Sequence, residues 1–417
     1  MSAHAKLSPS SAERWMRCPG SVALCDGLPD TSSSFADEGT AAHLLASTAL
    51  EAGNDAAHYK GYGIVFAKFD GDDRSQCMWE DFAQPPMVIT SRYEVNAEMA
   101  LAVQDYLDYV RGVQAATNAT LMVEQRLSIE SITGEPGAHG TSDVVLLAER
   151  ELIIIDLKYG RGVAVEADEN PQLQIYAMAA YNEFSLAQDF DTVRMVIHQP
   201  RLGAVSEWVQ TVDELLAFGG EVADAAALTA QPDAMLNPTA KGCKFCKAKA
   251  TCPALRAEVM EMFENVKPAT ANADLLAEAM SKADLIEGWV KAVRAETESK
   301  LLAGVGIPGW KLVQGKRGNR AWSSKEQAEE ALKAMRVKHD QMYDYSVISP
   351  TTAEKLAKAE VIGPRQWPKL QALITQADGK PSVAPESDKR PALVMSAVAE
   401  DFDDVTATTP ADACDLL

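Results

Sequence analysis

The segment "LIIIDLKYGRG", residues 152–162, ends an apolar run on Asp156 and places Lys158 two positions further on. Side chains alternate faces along a strand, so Asp156 and Lys158 project to the same side. Upstream, "TSDVVLLAE" opens on Asp143 and continues into another apolar run. In a hairpin whose central turn residues are Glu149 and Arg150, or whose loop runs from Ala148 to Glu151, Asp143 falls opposite Asp156. A loop of odd length would put the two acids on opposite faces. Like charges placed opposite one another repel, so this pairing makes sense chiefly around a divalent cation. Carboxylate oxygens suit Mg²⁺ or Mn²⁺. Such an ion lowers the pKa of its water and neutralises charge at a reacting phosphate, while Lys158 orients the attacking water or offsets developing negative charge. Phosphodiester hydrolysis is the chemistry these residues suit. A lone aspartate would read as a surface strand cap, but Asp143, Asp156 and Lys158 arrive together behind apolar strands.

A second group is Cys243-x2-Cys246-x5-Cys252, three of the seven cysteines. A protein kept in a reducing compartment does not use them as disulfides. Three thiolates from one compact segment point to a metal or cluster with a fourth ligand from elsewhere, zinc being the general expectation. Lys241, Lys244, Lys247 and Lys249 surround them and either track a nucleic-acid backbone or solvate an exposed loop. Cys77 and Cys414 have no evident role.

The elements that carry these residues read as follows. Helices and loops fill the first hundred residues, with a helix over "DEGTAAHLLASTALEAG" ended by Gly53 and another over "AEMALAVQDYLDYVRGVQ". Strands follow at "LMVEQRLSI", "TSDVVLLAE" and "ELIIIDLKY". "NPQLQIYAMAAYNEF" is a helix with Asn170 as N-cap and Pro171 in its first position; Gln172 and Tyr176 share one of its faces. Two more strands, "TVRMVIHQPRL" and "VSEWVQTV", and an Ala-rich helix lead to the cysteines. The fold class is α/β, a mixed central sheet flanked by helices, with an additional mostly helical C-terminal region. Residues 1–260 form the first domain and 268–375 the second. The second carries an apolar stripe at Leu285, Trp289 and Val293, a capping box at Ser323 and Glu326, and a basic, aromatic hairpin with Trp310, Lys311, Lys316, Arg317, Arg320 and Trp322 that suits single-strand binding. Residues 376–417 read as a flexible acidic tail.

The chain has 417 residues, 47% of them hydrophobic, and a formal net charge of -21. The composition is that of a soluble globular protein. The charge counts against a nucleic-acid partner overall, but residues 241–256 hold five basic side chains and no acid, while "EDFDDV" concentrates acid near the end. No apolar stretch is long enough to span a bilayer, and the N-terminus lacks the apolar core of a secretory signal. The expectation is a cytoplasmic protein with no membrane partner.

"GTSD", then "IIIDLKYG", then "NPQLQIYAMAAY" resembles the PD-(D/E)XK nuclease superfamily, in its RecB-like branch, where Gly-x-x-Asp, Asp-x-Lys and Gln-x-x-x-Tyr follow in this order. The resemblance implies a restriction-endonuclease-like fold, catalytic roles for Asp143, Asp156 and Lys158, and an active site lined by Gln172 and Tyr176, which steady DNA or the lysine. The branch also has an upstream Gly-x-x-x-His whose histidine is a metal ligand; "GTAAH" makes His43 the candidate, beside Asp143 and Asp156, with His139 in "GAHGTSD" its competitor. Glu124 could contribute from the preceding strand. RecB-like nucleases with an iron–sulfur cluster take one upstream cysteine and three from a C-terminal group of similar spacing. That implies a [4Fe–4S] cluster on Cys18, Cys243, Cys246 and Cys252, with Cys25 as the alternative fourth ligand and Zn²⁺ as the alternative occupant. The segment after the nuclease motifs resembles an uncharacterised family common in phages and prophages, over most of the chain to about residue 375. The resemblance implies a Mg²⁺- or Mn²⁺-dependent DNA exonuclease acting near ends in phage-type recombination or repair, inside a bacterium or phage-infected host, with a single-strand annealing recombinase as the partner such a role suggests. The competing readings are a non-catalytic DNA-binding module of the same fold and a structure-specific or RNA endonuclease.

Overall fold

The computed structural model describes residues 5–374 apart from 29–33, 70–74, 85, 163, 266–272, 312, 314–324, 337, 339–341, 344–348 and 360. It forms two compact units, Met1–Gln314 and Gly315–Leu417.

The first unit is built on a five-stranded mixed sheet. Helix α1 (Ser34–Ala52) is followed by strands β1 (Gly63–Phe69), β2 (Gln76–Trp79) and β3 (Met87–Glu94), then by helix α2 (Ala97–Thr117). Strands β4 (Thr120–Ser128), β5 (His139–Leu147) and β6 (Glu151–Leu157) come next, then helix α3 (Pro171–Phe184), β7 (Thr192–Gln199), β8 (Ala204–Thr211), α4 (Val212–Thr229), α5 (Pro253–Asn265) and α6 (Ala273–Leu302). The sheet order is β4-β5-β6-β7-β8. Only β6 and β7 are parallel, because α3 provides the crossover that parallel neighbours require. Expected as a mixed sheet flanked by helices, the unit has that class.

Apolar residues on both faces of the central strands explain the two helical layers. On β6, Leu152 and Ile154 enter a core with Leu173 and Ile175 of α3 and Leu215 of α4. Ile153 and Ile155 enter the opposite core with Leu45 of α1 and Val103 and Leu107 of α2. β6 is therefore a strand buried on both sides, as its unbroken apolar run requires.

Asn170 caps α3, its side-chain oxygen accepting the N–H groups of Gln172 at 3.0 Å and Leu173 at 3.3 Å. Thr211 and Glu214 form a capping box on α4. The first of these caps lies at the sheet end carrying the acids, next to Gln172, and the second at the opposite end, where Thr211 pairs with Thr192.

Two expectations change. Residues 63–94, read as helices and loops, form a small antiparallel sheet of order β2-β1-β3. β2 has four residues and β3 is mostly exposed, so the apolar pattern that marks a strand is weak in both, whereas the buried run of β1 carries a strand signal. Helix α6, expected to open the C-terminal domain, belongs to the first unit: Leu285 joins Cys243, Cys252, Leu255 and Val259 in a third core, with Trp289 packed against it. Lys282 also pairs with Glu258 of α5 at 2.5 Å.

The second unit contains short helices at Lys325–Ala334, Pro350–Lys358 and Trp367–Gln371, with Ser349 capping the second of these. Ser323 of the expected capping box, and Lys316, Arg317, Arg320 and Trp322 of the expected hairpin, lie outside the described residues, as does the tail 376–417 with Cys414. Trp310 is 71% exposed and bridges back to Ile307. Among the described residues, no helix is long and apolar enough to cross a membrane.

The packing of α6 leads to a measurable outcome. Leu285→Ala should destabilise the first unit by about 2–3 kcal/mol, the cost of truncating a buried leucine, seen as an earlier midpoint in urea unfolding. A helix belonging to a separate domain would leave that transition unmoved.

Candidate metal centre and cysteine recess

The β5–β6 turn has Ala148 N–H donating to Glu151 C=O at 3.0 Å, with Glu149 and Arg150 between them. Val144 pairs with Ile155, and Leu147 with Leu152. Continued by one step, this register sets Asp143 opposite Asp156. On the other side of β5, Val123 pairs with Val144 and Gln125 with Ser142, which sets Glu124 opposite Asp143. The ladder skips that one pair, and Glu124 has a φ of +47°, a left-handed conformation that costs a non-glycine residue strain. Three carboxylates from three neighbouring strands therefore occupy one row.

The two helical layers each deliver a basic or amide group to this row. From α1, His43 Nδ1 lies 3.1 Å from Asp143 Oδ1. Asp143 Oδ2 accepts the backbone N–H of Leu157 at 2.8 Å, tying the acid to β6. From the opposite side, Lys158 Nζ donates to Asp156 Oδ1 at 3.2 Å and lies 2.9 Å from Oδ2. Gln172 on α3 donates through Nε2 to Asp156 Oδ1 at 3.0 Å and accepts from Lys158 Nζ through Oε1 at 3.2 Å. One turn along α3, Tyr176 packs its ring over Gly140. A Cβ at position 140 would lie 2.8 Å from that ring, so the glycine of "GTSD" is the residue that lets helix and strand approach. For Gly39 of "GTAAH", by contrast, no described atom lies within 4 Å of a Cβ built there, and packing does not explain it.

The electrostatics follow from burial and pairing. Burial would depress His43, but Asp143, with Asp156 behind it, raises its pKa to about 9. Burial would raise Asp143; the neighbouring His43 and the Leu157 N–H hold it below the usual carboxylate range instead. Asp156 is raised, by burial first, with Lys158 opposing and Asp143 adding to the shift. Lys158 is raised despite its burial because Asp156 is its partner. Glu124 reaches solvent with part of its side chain, yet crowding of its carboxyl, and then Asp143, push it up to about 7. The row is thus split, Asp143 shifted down beside His43 and Asp156 and Glu124 shifted up.

The ligand atoms of His43, Glu124 and Asp143 all lie within 4.8 Å of one another. Together with Tyr106, Ser47 and Leu157 they line a small recess. Asp156, expected beside His43 and Asp143 as a ligand, is instead held by Lys158 and Gln172 and stands outside this closest group. Glu124 takes the third place within it. His139 is exposed at the start of β5, where its Nδ1 lies 2.8 Å from the Gly137 carbonyl oxygen; it does not join the group. One imidazole and two carboxylates suit a divalent cation, and the imidazole favours Mn²⁺ over Mg²⁺.

Cys18, Cys243, Cys246 and Cys252 line a second recess, with Arg14, Lys249 and Leu255. Cys25 reaches the same place, its Sγ 3.7 Å from that of Cys246. The sulfurs of Cys18 and Cys252 accept backbone N–H groups from Asn237 at 3.2 Å and Leu255 at 3.5 Å. Among the described residues no three cysteine sulfurs lie within 4.8 Å of one another. Cys77 is remote from them, on β2. Of the lysines nearby, Lys249 turns back to the Lys244 carbonyl at 2.7 Å. Phe245 stands 84% exposed between two of the cysteines, with the Lys244 ammonium 5.2 Å from its ring centroid.

Residues 4–391 match a protein family of unknown function, DUF2800. A solved structure titled "Crystal structure of SSO0001" aligns with 36% of this chain and 67% of its own, at 17% identity and a TM-score of 0.21, a likeness too slight to carry an argument.

The closest ligand set makes its own prediction. Glu124→Gln should raise the dissociation constant for Mn²⁺, measured by calorimetry, at least about tenfold, as changes close to a metal commonly do. Because His43 and Glu124 hold protons near neutrality, binding must release them, so wild-type affinity should rise between about pH 6 and 8. An affinity that falls over that interval would remove these two residues from the site.

Proposed function

The chain belongs to the DUF2800 family, and from that premise we propose that it is a metal-dependent deoxyribonuclease of PD-(D/E)XK type, an exonuclease acting near DNA ends. The observation that carries the reading is the register that sets Asp143 against Asp156, with Lys158 on the second acid and Gln172 on both Asp156 and Lys158. These residues follow one another in the order of the RecB-like motifs. An acidic row with no other cation than a histidine and a lysine is costly to keep, and cleaving a phosphodiester gives it a use.

His43, Glu124 and Asp143 are the residues that would hold Mn²⁺ or Mg²⁺, with Asp156 completing the acidic row. The ion supplies charge neutralisation at the phosphate and a water of lowered pKa. The chain's own contributions surround it. Lys158 presents an ammonium, fixed between Asp156 and Gln172, where negative charge develops on phosphate oxygens. Gln172 gives that ammonium a second acceptor beside Asp156. The capped N-terminus of α3 holds Gln172 in place, and Tyr176 closes the wall behind it.

The same reading includes an iron–sulfur cluster on Cys243, Cys246, Cys252 and either Cys18 or Cys25. The sulfurs of Cys18, Cys243, Cys246 and Cys252 line one recess that Cys25 also reaches, and Zn²⁺ is the alternative occupant. The basic residues of 241–256 would then lie beside the DNA path, and a single-strand annealing recombinase is the partner such an exonuclease would serve.

Labelled linear and circular DNA incubated with Mn²⁺ or Mg²⁺ tests the activity. Linear DNA should be degraded and the circle spared, with Asp156→Ala at least about a hundredfold slower. A circle cut as fast as the linear form refutes exonuclease action, and an unimpaired alanine variant removes the proposed centre. Anaerobically purified protein should show a broad absorbance near about 400 nm; colourless protein loaded with zinc would replace the cluster.

A further inference from the structure

Tyr106 sits on α2, 1% exposed, and lines the recess formed by His43, Glu124 and Asp143. Its hydroxyl is buried and, among the described residues, has no hydrogen-bond partner. Leaving such a group unsatisfied costs about 1–3 kcal/mol. The core does not need it. The ring packs among Leu45, Val103 and Ile155 and meets His198 edge-on at 5.7 Å, contacts that a phenylalanine would make equally well. Burial, and then the charges of Asp143, Asp156 and Glu124, hold the phenol far above its ordinary pKa, so it remains a neutral O–H donor. The carboxylates of Glu124 and Asp143 line the same recess as this donor.

We propose that Tyr106 is a positioning residue of the cation site, its hydroxyl donating a hydrogen bond to a water or carboxylate oxygen of the ion's coordination shell. The inference rests on the reading of His43, Glu124 and Asp143 as a cation site, and it adds the group that orients that site. A neutral donor is suited to the task because it adds no positive charge to compete with the ion and offers no thiol or imidazole to capture it. A hydroxyl that gains a partner in the ion's shell would place part of the stability of this region in the metal-bound form.

The test is Tyr106→Phe in the full chain, with Mn²⁺ binding followed by calorimetry in the absence of DNA and thermal unfolding of the metal-free protein followed in parallel. The dissociation constant should rise about tenfold, within the range of changes to groups that orient metal ligands. The metal-free variant should melt at or above the wild-type temperature, since an unsatisfied polar atom has been removed. In combination with Glu124→Gln the two losses should be less than additive, because both act on one shell. Unchanged Mn²⁺ affinity would overturn the inference. So would a metal-free variant that melts markedly lower, because the hydroxyl would then already be satisfied without the ion. Wild-type protein that binds Mn²⁺ and is weakened by Tyr106→Phe, yet degrades no DNA, would support Tyr106's role while removing the nuclease. Wild-type protein that binds no Mn²⁺ would overturn both.

Discussion

Three carboxylates in one row across β4, β5 and β6 are the constraint around which the first unit is arranged. Neighbouring side chains on paired strands stand about 5 Å apart, and two unit charges at that distance repel by about 3 kcal/mol at an effective dielectric near 20. Part of the relief comes from β6 itself, through the Leu157 N–H on Asp143 and through Lys158, which follows the strand, on Asp156. The helical layers add His43 from α1 on Asp143 and Gln172 from α3 on Asp156. The two layers that bury β6 thus also supply compensating groups, so the fold cannot lose either layer without leaving the row more exposed to its own repulsion. Burial first, and then the neighbouring Asp143, push the pKa values of Glu124 and Asp156 upward.

Glu124 marks the place where backbone and charge meet. Its positive φ interrupts the β4–β5 ladder at the pair opposite Asp143. An ordinary ladder there would hold the two acids rigidly side by side. The interruption lets Glu124 project into the recess with His43 and Asp143 while the strand continues in the same register on either side. Strain of this kind persists only when surrounding pairs fix the chain, and here Val123 and Gln125 are both paired.

Much of the sheet and half of the site could be read from the residues alone, for identifiable reasons. Asp143, Asp156 and Lys158 follow from the two-residue period of strands and the parity of one short loop, both local properties. Asn170 and Pro171 announce α3, and with it the face carrying Gln172 and Tyr176. His43 came only from the spacing of a family motif, since a histidine on an Ala- and Leu-rich helix has no periodicity of its own. Placing Glu124 required the β4–β5 register, which depends on a longer connection that sequence does not fix. Tyr106 gave no signal at all: an aromatic on the buried stripe of α2 reads as core, and only its unpartnered oxygen distinguishes it. The sheet at 63–94 was hidden by the brevity of β2 and the exposure of β3, and α6 by the fact that an apolar stripe does not say which surface it covers. The cysteine spacing indicated three members of the recess, but Cys18 and Cys25 both reach it, so spacing could not choose between them.

The knitting of residues 12–25 to residues 234–252 sets an order of events. Trp15 is fully buried beneath the sheet, and a Cβ on Gly20 would lie 2.3 Å from the Ala234 carbonyl oxygen, so the two segments fit backbone to backbone. Gly20 N–H donates to the Met235 carbonyl at 2.9 Å, and Asn237 N–H to the Cys18 sulfur at 3.2 Å. During translation the first of these segments leaves the ribosome more than two hundred residues before its counterpart. It must wait, with its tryptophan and two thiols uncovered, until the strands have assembled and the second segment emerges. Contacts so distant along the chain close slowly. Until the second segment has emerged, the first cannot make these contacts.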